Sequence, residues 1–141
     1  MNRREFVLAT GAAVLAARAD AAPDAGAASS TSSGQKLIET ASACIQTGEL
    51  CEAHCFRQLA AGDTSLAQCA ASVNLMLPMC RALVTAAAQS SPRLKDIAKS
   101  CGLVCRDCEA ACKPHAGHHE ICRQCMEACR ACATACERAA A

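Results

Sequence analysis

Cys122, Cys125, Cys129, Cys132 and Cys136 follow one another at spacings of three, four, three and four residues. Residues three and four apart share one face of an α-helix. On a helix these five thiols therefore form an unbroken stripe, at the a/d positions where a bundle normally carries leucine. The ladder recurs upstream, where Cys101, Cys105, Cys108 and Cys112 are spaced four, three and four apart. Cys44, Cys51 and Cys55 share one face of an earlier segment. Cys69 and Cys80 stand eleven apart, and the ladder between them passes through Val73 and Met76.

What these stripes face follows from what else the chain has to bury. From Ala22 onward only 17 residues are Leu, Ile, Val or Phe, and Phe56 is the sole aromatic among them. A domain of this size normally buries far more large side chains. The segment that carries the five-cysteine stripe has Ile121 as its only Leu, Ile, Val or Phe. Reduced cysteine behaves as a small, readily buried hydrophobe, so the fourteen cysteines are the expected core.

Punctuation along the chain sets the elements. Arg3 and Arg4 precede an apolar run from Phe6 to Ala17, and Ala19-Asp20-Ala21 offers a small-residue cleavage site. That run is too short for a membrane span. A twin arginine before a mildly apolar run predicts a cleaved twin-arginine export signal over residues 1–21. Residues 22–33 are small and polar and read as a flexible tether. A cysteine-bearing bundle is predicted over 34–141. Its first helix runs from about Gly34 to Ala61, with Ser32 and Gln35 resembling a capping box. Gly62-Asp63 breaks it, and Asp63 can cap a second helix that reaches about Gln89 and is kinked at Pro78. Ser91-Pro92 starts a third, which ends near Cys112 before Lys113-Pro114. A loop over His115 to His119 leads into a fourth, to about Arg138. Four helices with short connections predict an all-α, up-down-up-down bundle.

Charge excludes several functions. Without residues 1–21 the chain holds 11 basic and 11 acidic residues, which draw it neither to nucleic acid nor to an anionic membrane. The acidic residues fall mostly off the stripes, and no acid/base pair is visible. There is no Ser/His/Asp arrangement and no phosphate-binding glycine loop. The CxxC spacings of the last helix lack an accompanying βαβ pattern. The chain is not expected to be an enzyme.

Three uses of buried sulfur remain. A disulfide-stabilised structural or interaction module is the usual reading of a cysteine-rich exported chain. Helix neighbours at i,i+4 have Cβ atoms about 5–6 Å apart, however, whereas a disulfide wants about 3.5–4.5 Å. Iron–sulfur ligands sit on loops, and zinc prefers isolated four-ligand sites. Cu(I) fits better. It is soft, and thiolate is its preferred partner. It accepts two or three sulfurs, so an i,i+4 pair plus a sulfur from a facing helix can hold an ion. Roughly equal numbers of Cu(I) and thiolate are also close to neutral, which an apolar interior tolerates. Each ion displaces thiol protons, so loading should weaken at low pH.

Two stretches carry a family likeness: Cys44-x3-Gly48-Glu49-x-Cys51-x2-His54-Cys55, and the run from Cys122 to Cys136. From about residue 35 to the end, the chain resembles the copper storage proteins, cysteine-lined four-helix bundles of bacteria. The resemblance implies storage of multiple Cu(I) ions, an open bundle end through which metal passes, and often a homotetramer. The twin arginine looks like that of the exported branch; the cytosolic branch lacks it. A periplasmic or internal membrane-associated extracytoplasmic location is therefore expected, with a copper-requiring enzyme or chaperone as recipient. His54 is implied as a ligand or near-ligand. Met76, on the second stripe, is a candidate thioether ligand, while Met79 and Met126 are read as packing. Exported members carry methionines at the corner between the first two helices. Here that corner, Gln58 to Leu66, has none. The loops after the first and third helices lie at the same end of an up-down bundle, so His115, His118 and His119 are expected to receive copper there instead.

Overall fold

The computed structural model describes residues 25–141. The proposed export signal, residues 1–21, lies outside them. The described residues form four α-helices: α1 (Ala25–Ala60), α2 (Ala67–Ala88), α3 (Leu94–Cys112) and α4 (Glu120–Ala140). Short 3-10 turns at Thr64–Leu66 and Lys113–His115 close the loops after α1 and α3. No strand occurs among the described residues. Each helix packs on its neighbours in sequence, and α1 also packs on α4, which closes a four-cornered antiparallel bundle.

α1 begins nine residues before the expected start at Gly34, so residues 25–33 are helix and not the expected tether. That stretch holds Ala25, Ala27 and Ala28, and no proline interrupts it. Alanine is the strongest helix former, and the Ser32/Gln35 pattern falls inside the helix instead of at its start. α3 starts slightly later than expected, at Leu94. Ser91 still organises the turn, accepting the Arg93 N–H on its Oγ at 3.2 Å and the Leu94 N–H on its carbonyl at 3.0 Å. α2 continues through Pro78.

Two helix ends share one construction. After α1, Gly62 takes φ +92°, and the Asp63 N–H reaches back to the Gln58 carbonyl at 3.0 Å. After α2, Ser90 takes φ +49°, and the Ser91 N–H reaches the Ala86 carbonyl at 2.9 Å. Both are left-handed C-terminal caps that satisfy carbonyls the helix leaves open. Asp63 then caps the next turn, its carboxylate accepting the Ser65 N–H at 3.0 Å.

The core is sulfur. All fourteen cysteines are fully buried, as are Leu37, Leu66, Val73, Met76 and Leu83. The charged residues lie outside. Arg106 bridges Glu109 and Glu137, Arg130 reaches Glu109 at 2.6 Å, and Arg81 reaches Glu49 at 2.8 Å. Such solvated pairs contribute little each but keep charge off the inner faces. By length and composition the Thr64–Ala88 stretch could cross a bilayer. Its apolar face is instead spent on the core, where Cys69, Val73, Met76, Cys80 and Leu83 all point.

Candidate metal centre

The four stripes converge on one axis. Five groups of sulfurs, each with members within 4.8 Å of one another, follow it from the loop end inward. The first is Cys51, Cys55, Cys69 and Cys122. Next come Cys51, Cys112 and Cys125, then Cys108, Cys125 and Cys129. Then come Cys44, Cys80, Cys105 and Cys132, and finally Cys101, Cys132 and Cys136. Together the groups take in all fourteen thiols. Shared members Cys51, Cys125 and Cys132 link neighbouring groups, and a 3.3 Å contact between Cys44 and Cys129 joins the third to the fourth. The result is one continuous sulfur channel.

Its sulfurs are in contact but not bonded to one another. All fourteen cysteines are free thiols. Cross-helix sulfurs stand apart by 3.4 Å (Cys69–Cys112), 3.7 Å (Cys80–Cys105), 3.8 Å (Cys51–Cys122) and 3.9 Å (Cys51–Cys69). A disulfide needs about 2.05 Å. Three sulfurs around one ion at a metal–sulfur length of about 2.3 Å stand about 4 Å apart. The spacing of these sulfurs is thus close to that of three donors around one thiophilic ion.

Proton affinities vary along the channel in a regular way. Burial, reinforced by the nearby Cys69 sulfur, pushes Cys55 up to about 12 and Cys122 up to about 11. Cys69 itself is held down to about 3 because Cys112 and Cys51 donate to it. Cys125 is lowered by donors from Cys108 and Cys112, and Cys132 by donors from Cys101 and Cys105. Every one of the five groups holds one of these three acceptor sulfurs. Each group therefore has one thiol from which the first proton leaves most readily, with protonated neighbours stabilising the anion.

The two ends of the channel differ. At the far end Leu37, Leu83, Ala41 and Ala98 are buried and close it with hydrocarbon. At the loop end the His54 Nε2 and His119 Nδ1 atoms lie 3.0 Å apart, above the first sulfur group. Both rings are half-buried, and burial followed by the His119 charge keeps His54 less basic than usual. His119 is the N-cap residue of α4. The His115 ring centre lies 6.4 Å from that of His119. His118 is exposed and stands apart from this pair. Of the loop histidines, then, His119 and His115 gather at the mouth with His54, and His118 faces solvent.

Met76 sits on the channel, with its Sδ atom 3.5 Å from the Sγ atoms of both Cys44 and Cys80. Met79 and Met126 are half-buried and pack against the outside of the core. One contributor escaped the sequence reading. Gly48, buried in α1, has no room for a side chain, since a Cβ there would stand 2.6 Å from the Met76 methyl. Its place between Cys44 and Cys51 on the inner face was the available signal. Gly102 does a similar service at the far end, where a Cβ would meet that of Cys136 at 3.1 Å.

Known proteins place this arrangement. The family profile described as copper storage protein matches residues 30–141. A cytosolic copper storage protein from Streptomyces lividans, solved with five coppers, superposes with a TM-score of 0.74 at 26% identity, covering 80% of this chain and 96% of its own. Copper storage protein 3 from Bacillus subtilis in its Cu(I)-bound form gives 0.70 at 27% identity, covering 77% of this chain and 99% of its own. The S. lividans protein loaded with ten copper equivalents gives 0.71 at 27%, covering 77% and 84% respectively. No curated protein sequence matches the chain.

Proposed function

This chain belongs to the copper storage protein family, and we propose that it stores many Cu(I) ions at once on the thiolates of its inner channel. The observation that carries the reading is that all fourteen thiols are free, fully buried and gathered into linked groups of three or four. One tetrahedral ion would need four of them. Fourteen in one tube are a store, and nothing in the channel resembles a site that turns over a substrate.

Cu(I) passes into the channel at the loop end. His54, His119 and His115 receive it there, and the Cys51–Cys55–Cys69–Cys122 group takes it next. Imidazole is a suitable intermediate donor for copper, with softer thiolate below it as the stronger sink. His118 sits at the rim, where it can meet an incoming donor. The twin arginine of residues 3 and 4 supports a place outside the cytoplasm, where the protein supplies or sequesters copper for a copper-requiring enzyme or chaperone. Copies associate into a homo-oligomer, a tetramer by family likeness.

Anaerobic titration of the reduced protein with Cu(I) against a chromophoric chelator tests the reading. Uptake of about ten or more equivalents per chain is expected, approaching the thiol count. Saturation at one or two would sink it. The same titration followed in time tests the mouth. Replacing His54, His115, His118 and His119 together with alanine should slow loading roughly tenfold while leaving final capacity unchanged. Unaltered loading and release rates would remove the histidines from the route.

A further inference from the structure

The inner stripe of α2 is poor in thiols. Between Cys69 and Cys80 it presents Val73 and Met76, both fully buried. Met76 therefore brings a thioether, which carries no acidic proton, into a channel otherwise lined by thiols. We propose that Cys44, Met76 and Cys80 form a mixed thiolate–thioether site for one Cu(I), and that Gly48 is the positioning residue that admits the thioether. The proposal rests on the storage reading and specifies one site within it.

Geometry supports the trio. The Met76 sulfur lies 3.5 Å from each of the two thiol sulfurs, which come from α1 and α2. Small outward shifts open this to the roughly 4 Å separation of three sulfurs around one ion. Both thiols also have other neighbours. Cys44 lies 3.3 Å from Cys129, and Cys80 lies 3.8 Å from Cys101 and 3.7 Å from Cys105. Cys44 and Cys80 also lie within 4.8 Å of Cys105 and Cys132, so the thioether competes with thiols for the third place at this ion, and charge decides between them.

Charge explains why a thioether suits the place. Binding one Cu(I) to two thiols releases two protons to solvent and leaves a net charge of −1. A third thiolate would release another proton and leave −2. A thioether completes the coordination and leaves the charge at −1, which an apolar interior tolerates better.

Gly48 makes the placement possible. A Cβ at this position would stand 2.6 Å from the Met76 Cε atom and 2.9 Å from the Leu77 Cδ2 atom. The methionine end is flexible, so an alanine would push Met76 aside and carry its sulfur away from Cys44 and Cys80. Glycine in mid-helix is intrinsically less stable than alanine, and here that deficit is exchanged for a donor inside the channel.

Selenium absorption spectroscopy tests this directly. Selenomethionine protein carrying Met79→Leu and Met126→Leu leaves Met76 as the only selenium in the described helices; selenium at Met1 gives the same background in every sample. After anaerobic Cu(I) loading, a copper neighbour is expected at selenium, absent from the metal-free protein and lost in Gly48→Ala. Met76→Leu, which keeps the packing volume, should weaken one ion of the load roughly tenfold. If selenium shows no copper neighbour while the chain still takes up many equivalents, the mixed site is wrong and storage stands. If Gly48→Ala keeps the contact, the positioning role is wrong. Uptake of only one or two ions would instead overturn the storage reading itself.

Discussion

Replacing Cys125 and Cys132 with alanine is expected to cost the protein about a third or more of its Cu(I) capacity, although two of fourteen thiols are removed. Independent thiols would lose only about one part in seven. The larger loss follows from connectivity, because four of the five sulfur groups contain one of these two residues. Three of these groups fall from three sulfurs to two and the fourth from four to three, so each loses a donor and grips its ion less tightly. Both are also sulfurs from which protons leave easily, owing to thiol donors from Cys108 and Cys112 at the first and from Cys101 and Cys105 at the second. The variant should still fold. Alanine leaves two small cavities, each costing about 1 kcal/mol. Chelator-competition titration of the variant beside the parent measures the difference. A loss no greater than two ions would show that the groups do not act as units.

Loading should raise the melting temperature by about 20 °C or more, and acid should reverse the gain. A ligand present at a hundred times its dissociation constant stabilises by about 2.7 kcal/mol per site, so several sites together rival the whole stability of a small domain. The sign with pH follows from the thiols. The bound ions hold thiolates, so the loaded protein carries fewer protons than the unfolded chain below about pH 9, and its stability falls as pH falls. In the metal-free protein only Cys69, Cys125 and Cys132, whose proton affinity is lowered by their thiol donors, share that sign, and the raised thiols oppose it. Burial raises Cys55 to about 12 and Cys122 to about 11. Their contribution is fully present below the unfolded thiol value near 9 and is lost as pH rises through 11 and 12. Thermal scans of both forms between pH 5 and 11 should therefore give curves that diverge with rising pH. Parallel curves would mean that metal is not displacing thiol protons.

The stripes on α3 and α4 were fully legible, because a three-four spacing admits one helical face and those helices offer little else to bury. Asp63 and Gly62 announced the first corner, and Lys113-Pro114 the third. The start of α1 was not legible, since short polar residues mixed with alanine suit a tether or a helix equally in sequence terms. Cross-helix grouping was also hidden. That Cys51 would meet Cys112 and Cys125 depends on the axial offset between helices, which packing decides. The same limit applied to the mouth. Topology placed His119 at the end where α1 finishes, but its 3.0 Å approach to His54 and the outward stance of His118 needed coordinates. Gly48 was visible as a residue but not as a contributor, because its role consists of the space it leaves for Met76.

A crystal of the protein loaded anaerobically with Cu(I), measured on both sides of the copper absorption edge, tests most directly whether sulfur inside the tube holds the metal. A string of anomalous peaks is expected along the bundle axis, from the His54–His119 mouth inward to Cys101 and Cys136. Peaks confined to the outer surface, or an axis empty of copper beside cysteines joined in pairs, would contradict the account.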